Sequence, residues 1–374
     1  MTVTLTIPEY LKPADGRFGS GPSRIRDKAL ASLAAPDSPL GTSHRQAPVK
    51  NLVARVQEQL AVFYQMPEDF SVVLGNGGTN VFWDVATASL IERRSAHGVC
   101  GEFSRKFADA VAAAPFLDAP VIESAPMGCS ARLQASDGVD VYAWVHNETS
   151  TGVCVPVDRV AGAGDALMLV DATSAAGAMA ANIAELDAYY FSPQKNLGSD
   201  GGLWLALCSP AALERSARVT ASGRWVPPTL NLTLAAQNSA KHQTLNTPAI
   251  ATLMLLDFQL RWLLYRGGLE FAIERTTANS SALYRWAEKR EFVRPFVEDP
   301  ADRSPVVVTL VFDDTVDVSE LTAIMRANGI VDIDAYRNAG PNQIRVGCFA
   351  AVNPGDIEAL IACLDWVIDR LPAR

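Results

Sequence analysis

Histidine and lysine are scarce in this 374-residue chain, with four and seven respectively, and the six cysteines (Cys100, Cys129, Cys154, Cys208, Cys348 and Cys363) include no CxxC pair. Cysteines scattered in this way give no disulfide framework and fit a reducing compartment, so a cytoplasmic location is expected. His44, His97, His146 and His242 lack metal-ligand spacing, which leaves a metal centre without support. No segment offers the roughly 18 uninterrupted apolar residues of a membrane span. The stretch from Met1 to Gly16 has no cationic flank followed by an apolar run, so neither export nor insertion is expected. Acidic residues outnumber basic ones by 41 to 32, and no basic stretch supplies the face that nucleic-acid phosphates require. Repeats and low-complexity tracts are absent apart from Ala-rich patches such as Ala110 to Ala114. What remains is a globular composition, 49% hydrophobic and 20% charged, long enough for two domains and suited to a small-molecule partner.

The punctuation is that of an α/β protein. Apolar runs of strand length at Ser71–Leu74, Val139–Val145, Ala166–Val170, Ala188–Phe191 and Leu203–Leu207 give way to Gly, Asn, Asp, Ser or Pro. In open α/β sheets the ligand crevice lies outside the carboxyl ends of the strands, so the polar residues at those ends are the site candidates. After Thr247-Pro248 the spacing of Ile250, Leu253, Met254, Asp257, Leu260, Arg261 and Leu264 predicts a helix, and a second is expected over Leu269–Arg290. Beyond it a β-α-β-α pattern is expected, with strands Val306–Phe312 and Gln343–Phe349. Its first helix is capped by Asp317, with Glu320 three residues on and Gly329 closing it. The last helix starts at Asn353-Pro354 and buries Ile357, Leu360, Ile361, Leu364, Ile368 and Leu371. The expected division is an N-terminal segment over 1–20, a large domain over 21–262 and a small domain over 263–374.

Within Tyr189-Tyr190-Phe191-Ser192-Pro193-Gln194-Lys195-Asn196 a buried strand runs into a lysine and then a glycine-rich turn. A desolvated lysine has a lowered pKa and becomes a nucleophile toward aldehydes, although a solvated turn lysine is the commoner use of the residue. Asp171 ends the run Ala166–Val170, 24 residues earlier, each residue following its own strand. A carboxylate there can keep the pyridinium nitrogen of pyridoxal 5'-phosphate (PLP) protonated and so make the ring an electron sink; the alternatives are an N-cap or a metal ligand, the latter without histidines at ligand spacing. Gly75-Asn76-Gly77-Gly78-Thr79-Asn80 opens a helix whose amides and hydroxyl can cradle a phosphate, or else forms a purely structural turn. Asn80 stands where a Rossmann fingerprint needs its third glycine, and no Walker lysine follows. At His146-Asn147-Glu148-Thr149-Ser150-Thr151-Gly152 an amide and a hydroxyl are placed to contact cofactor ring substituents, or to make an Asx or Ser/Thr turn. Phe103 is a candidate to stack on the pyridine ring, against the alternative of a core residue. Gly41-Thr42-Ser43-His44-Arg45, Tyr336-Arg337 and Arg345 are candidates for anion recognition through the planar guanidinium fork.

Taken together, these residues resemble the phosphoserine aminotransferase family, of the class V group within fold-type I PLP enzymes. The resemblance runs from Phe18-Gly19-Ser20-Gly21-Pro22 to the final helix and is densest at Ser43-His44-Arg45, Asn147-Glu148-Thr149, Val170-Asp171-Ala172-Thr173, Pro193-Gln194-Lys195-Asn196, Asn246-Thr247-Pro248 and Ile344-Arg345-Val346. It implies an α/β transferase fold of type I, with a large domain built on a mostly parallel seven-stranded sheet and a smaller C-terminal α/β domain. It further implies that Lys195 is the aldimine lysine, Asp171 the pyridinium partner and Thr149 the contact to the ring oxygen. Gln194 neighbours the cofactor phosphate, and Gly78, Thr79 and Asn80 cradle it. Asn246 and Thr247 reach the cofactor phosphate of the other subunit in a homodimer. Arg345 takes the substrate α-carboxylate, and His44, Arg45 and Arg337 surround its phosphate. The chain departs from the family at two places: Phe103 stands where many members stack a tryptophan, and Tyr336-Arg337 replaces a His-Arg pair, with extra residues before Arg345.

The activity this implies is PLP-dependent transfer of the amino group of L-glutamate to 3-phosphohydroxypyruvate, giving O-phospho-L-serine and 2-oxoglutarate in serine biosynthesis. The same resemblance implies action on 3-hydroxy-2-oxo-4-phosphonooxybutanoate in vitamin B6 synthesis. The competing readings are another class V enzyme, such as a serine or alanine-glyoxylate transaminase or a cysteine desulfurase, and a non-catalytic binder of phosphorylated ligands. A desulfurase needs a mobile cysteine over the cofactor, and only Cys348 lies near a proposed substrate arginine.

Overall fold

The computed structural model describes residues 5–337, 340 and 342–371. In chain order its strands are β1 Ser71–Asn76, β2 Ser95–Val99, β3 Val121–Ser124, β4 Val141–Val145, β5 Asn147–Glu148, β6 Val153–Cys154, β7 Leu167–Asp171, β8 Ala188–Phe191, β9 Leu203–Cys208, β10 Val293–Pro295, β11 Val307–Phe312 and β12 Gln343–Gly347. Seven of them form one sheet in the order β1-β9-β8-β7-β4-β2-β3. The expected mostly parallel seven-stranded sheet is present: β3, β2, β4, β7 and β8 run parallel, and β9 pairs antiparallel with both β8 and β1.

Because strand side chains alternate, each central strand feeds two cores. Val72 and Leu74, Tyr142 and Trp144, Met168 and Val170, Tyr189 and Phe191, and Leu203, Leu205 and Leu207 pack on one face, with the helices Ala47–Phe63 and Ile250–Arg266. Val73, Val141, Ala143, Leu167, Leu169, Tyr190, Trp204 and Ala206 pack on the other, with the helices Thr79–Ser89 and Glu102–Ala112. Strands buried on both faces read as continuous apolar runs, which is why these were recognisable from sequence. β2 escaped because Ser95, His97 and Gly98 interrupt its run, and β3 because it is a half-exposed edge strand.

The helices Ile250–Arg266 and Gly268–Glu288 stand where the periodicity put them. A second, antiparallel sheet of order β10-β11-β12 follows, and its three-residue edge strand β10, ending on Pro295, was not expected. Asp317 caps the helix Val318–Ala327 by accepting from the amide of Glu320, and the last helix is Pro354–Ile368. The core of this unit also takes in Ile7 and Phe18 from the chain's beginning. The amide of Gly347 donates to the carbonyl of Phe18 at 2.8 Å, so the N-terminal segment is docked on β12.

His97 lies inside the large unit, edge-to-face against Phe107 at 4.9 Å between centroids, and its Nε2 is 2.8 Å from Ser95 Oγ. Burial pushes its pKa down to about 3. The unfolded chain takes up a proton below about 6.5 while the folded state does not, so this contribution is intact above that pH and is lost as the pH falls toward 3. The wild type's thermal stability advantage over His97→Leu is therefore expected to shrink between pH 7 and pH 4. Calorimetric scans across that range measure it, and a constant difference would contradict the buried neutral ring.

Candidate active site

β7 and β8 are parallel neighbours, in register at Asp171 and Tyr190, so their carboxyl ends open side by side. Asp171 closes one, and four residues past the other comes Lys195. The strands' carboxyl ends border a cavity of about 400 Å³ lined by Ser20, Gly21, Gly78, Thr79, Asn80, Trp83, Phe103, Val145, Asn147, Thr149, Asp171, Thr173, Gln194, Lys195, Tyr336 and Arg345. That size suits a cofactor-scale ligand.

Lys195 is buried, and its Nζ donates to Thr149 Oγ1 at 2.8 Å and stands 5.2 Å from the centroid of the Phe103 ring. Burial pushes its pKa down to about 8, partly offset by Asp171 and Glu148, while Arg345 pushes the same way as burial. Asp171 accepts from the Thr173 amide at 2.9 Å and from Trp83 Nε1 at 3.1 Å. Burial raises the pKa of this carboxyl, against the pull of those donors and of Lys195. A cationic ring nitrogen delivered against it would oppose the burial effect and keep it ionised. Gly21, at φ 136°, passes so close that a Cβ there would sit 2.6 Å from Lys195 Cε. The following Ser23 donates through its hydroxyl to the Lys195 carbonyl at 2.7 Å.

β1 runs into Gly77 and Gly78, and the helix Thr79–Ser89 begins with no side chain capping its first turn. At Gly77, φ is 105° and a Cβ would meet Val81 Cγ2 at 2.5 Å, so the turn depends on glycine. Unpaired first-turn amides and the Thr79 hydroxyl, 2.6 Å from that of Thr173, face the cavity as an anion cradle. On the opposite wall, Arg345 of β12 donates to the Thr149 carbonyl at 2.8 Å and packs on the Tyr336 ring at 5.1 Å.

The structure thus brings together Gly78, Thr79, Asn80, Phe103, Thr149, Asp171, Gln194, Lys195 and Arg345. It leaves His44, Arg45, Arg337, Asn246 and Thr247 outside the cavity lining. His44 Nδ1 lies 3.1 Å from Thr247 Oγ1, and Arg45 donates to Gln243 and, at 3.2 Å, to the Leu245 carbonyl, so His44 and Arg45 both pack against the 243–247 segment that carries Asn246 and Thr247. Arg337 is exposed. Sequence reasoning gave no role to Ser20, Gly21, Trp83 or Thr173 individually, while the amide it placed in the 146–152 stretch is Asn147, which lines the cavity. Trp83 was detectable: it sits one helical turn after Thr79 and so on the same face.

The residues present fit PLP. Ser20 Oγ, Asn147 Oδ1, Gln194 Oε1 and Arg345 Nε are buried with no hydrogen-bond partner, which is costly unless a ligand supplies one. An amine for an aldehyde, a carboxylate for a ring nitrogen and a phosphate cradle occupy separate walls. The fold and these residues fit a cofactor site of the PLP type. The class-V aminotransferase model matches residues 127–333, and the chain belongs to that family. The phosphoserine aminotransferase of Rhodococcus opacus is 51% identical over 372 residues, 99% of this chain and 100% of that one. Among solved structures, a phosphoserine aminotransferase from Cytophaga hutchinsonii has a TM-score of 0.85 at 20% identity, covering 94% of this chain and 99% of its own. An aspartate aminotransferase from Thermus thermophilus has a TM-score of 0.80 at 22% identity, covering 95% and 99%, so the fold alone does not select the substrate.

The amine of Lys195 should become available near pH 8. The rate at which the cofactor-free protein takes up PLP, followed by visible absorbance, is expected to rise with pH around that value. A midpoint near 10.5, the ordinary lysine value, would contradict the desolvated site. Asp171 holds the Lys195 pKa up, so Asp171→Ala is expected to move the midpoint lower.

Proposed function

We propose that the chain is a PLP-dependent phosphoserine aminotransferase, moving the amino group of L-glutamate to 3-phosphohydroxypyruvate to give O-phospho-L-serine and 2-oxoglutarate. The observation that carries this is the buried Lys195 facing Asp171 across one cavity with a guanidinium, Arg345, on the third wall; the relative at 51% identity over the full length supports the substrate. When bound, the cofactor supplies an aldehyde that accepts the amino group and a ring that withdraws electrons from the substrate α-carbon. Lys195 Nζ, a neutral amine for an appreciable fraction of the time near pH 8, is the group that takes and returns the α-proton. Thr149 orients that amine through its 2.8 Å hydrogen bond. Arg345 binds the α-carboxylate of both amino donor and acceptor, a bidentate pairing suited to its planar fork. The apolar side chains of Val145, Phe103 and Tyr336 on the cavity lining limit the water around the reacting atoms.

The substrate phosphate is assigned to His44, Arg45 and Arg337. Because they lie off the cavity of their own chain, the reading includes a homodimer in which the patch of His44, Arg45, Asn246 and Thr247 completes the neighbouring site. A cytoplasmic location, the division into 1–20, 21–262 and 263–374, and action on the vitamin B6 precursor belong to the same proposal. The desulfurase reading lacks its cysteine: Cys348 is fully buried, and exposed Cys129 does not line the cavity.

Mixing the PLP-loaded protein with O-phospho-L-serine, L-serine, L-alanine and L-cysteine in turn tests the substrate. Fast bleaching of the visible cofactor band by phosphoserine alone is expected; conversion by an unphosphorylated amino acid with indifference to phosphoserine would move the function to another transaminase. Arg345→Ala is expected to lower kcat/KM for glutamate and phosphoserine alike, by roughly 10- to 100-fold for the loss of a charge-assisted pairing. An effect confined to one of the two would remove Arg345 from the α-carboxylate.

A further inference from the structure

Glu148 is fully buried, and its carboxylate is held by donors. Oε1 accepts from the amides of Phe103 at 3.3 Å and Ser150 at 3.2 Å and from the Ser150 hydroxyl at 2.6 Å. Oε2 accepts from the Ser104 amide at 2.9 Å and lies 2.9 Å from the Ser104 hydroxyl. The amide of Glu102 in turn donates to Ser150 Oγ at 3.0 Å. Three of the four amides that the helix Glu102–Ala112 leaves without an internal partner are therefore satisfied by the 148–150 loop, with a carboxylate at the positive end of the helix dipole. Between Glu148 and Ser150, Thr149 faces the other way and accepts from Lys195. Gly101 makes the approach possible: a Cβ there would meet Glu148 Cγ at 2.4 Å and Cδ at 2.6 Å.

We infer that Glu148 is a positioning residue that clamps the first turn of this helix to the loop carrying Thr149, and so sets the Phe103 ring at its distance from Lys195. The ring also meets Lys106 Nζ, 5.4 Å from its centroid, but its backbone is held by the Glu148 carboxylate. It projects from the first helical residues into the cavity, touching Tyr336 edge-on at 5.5 Å, and helix ends fray unless their amides are held. A neutral glutamine keeps the shape of the side chain but turns an amino group toward donors, so it discriminates clamping from filling space. The inference rests on the cavity being a PLP site in which Phe103 is a wall.

The test is a double-mutant cycle on the full-length, cofactor-free protein, with PLP affinity read by equilibrium dialysis and the PLP-induced rise in melting temperature as a second readout. Phe103→Leu and Glu148→Gln are each expected to weaken PLP binding by about tenfold, a coupling-sized effect, and the double variant to be no weaker than the weaker single one. Wild-type affinity and an undiminished rise in melting temperature in Glu148→Gln would overturn the inference, as would losses that multiply in the double variant. Should Glu148→Gln fail to fold, Ser104→Ala removes one hydroxyl from the same clamp; a smaller loss that disappears beside Phe103→Leu is expected, and a loss that multiplies with it overturns the inference. A wild-type protein that takes up no PLP at all would instead refute the reading of the cavity.

Discussion

Everything at this site depends on holding an amine and a carboxylate out of water within one crevice. Isolated buried charges are costly, and two of opposite sign within reach of each other are tolerated only when their remaining valences are met. The two parallel strands β7 and β8 deliver one to each side: Asp171 takes an indole and an amide, and Lys195 takes the Thr149 hydroxyl. The surroundings act on the pair in opposite senses, since burial disfavours the charge on both while each favours the charge on the other. An amine poised near neutrality is the result, and the rest of the cavity is arranged around it.

The sequence was most readable where one periodicity dominated. Strands such as β7 and β8, buried on both faces, left continuous apolar runs that give way to polar residues, and Asp171 and Lys195 were found by that rule. The capping pattern from Asp317 to Glu320 was equally local. The rest of the wall was hidden because its residues arrive from far away in the chain. Gly21 matters only because Lys195 lies beside it, and Trp83 only because its indole meets Asp171. Gly21 has no local pattern that signals chemistry, and Trp83 has only its place one helical turn after Thr79. β2 was missed for a related reason: His97 and Ser95 satisfy each other inside the core, so a buried strand carries polar letters.

The substrate-side residues divide by location. Arg345 is tied into the cavity through the Thr149 carbonyl and the Tyr336 ring, so it is ready before any ligand arrives. Outside the cavity, His44 pairs with Thr247 at 3.1 Å, and Arg45 donates to Gln243 and, at 3.2 Å, to the Leu245 carbonyl. Arg345 therefore presents a preorganised guanidinium to the cavity, while His44, Arg45 and Thr247 lie outside its lining.

The docking of the first residues onto the last unit also sets a timetable. The amide of Ile7 donates to the side chain of Asn328, 321 positions later, and Gly347 pairs with Phe18. During synthesis at ribosomal speeds, the opening segment must wait roughly 15 to 65 s for its partners to emerge. Ile7 and Phe18 lack those partners for that interval. The growing chain can thus build its large sheet early and yet lack Arg345, so the cavity wall is completed only once the final unit has been made.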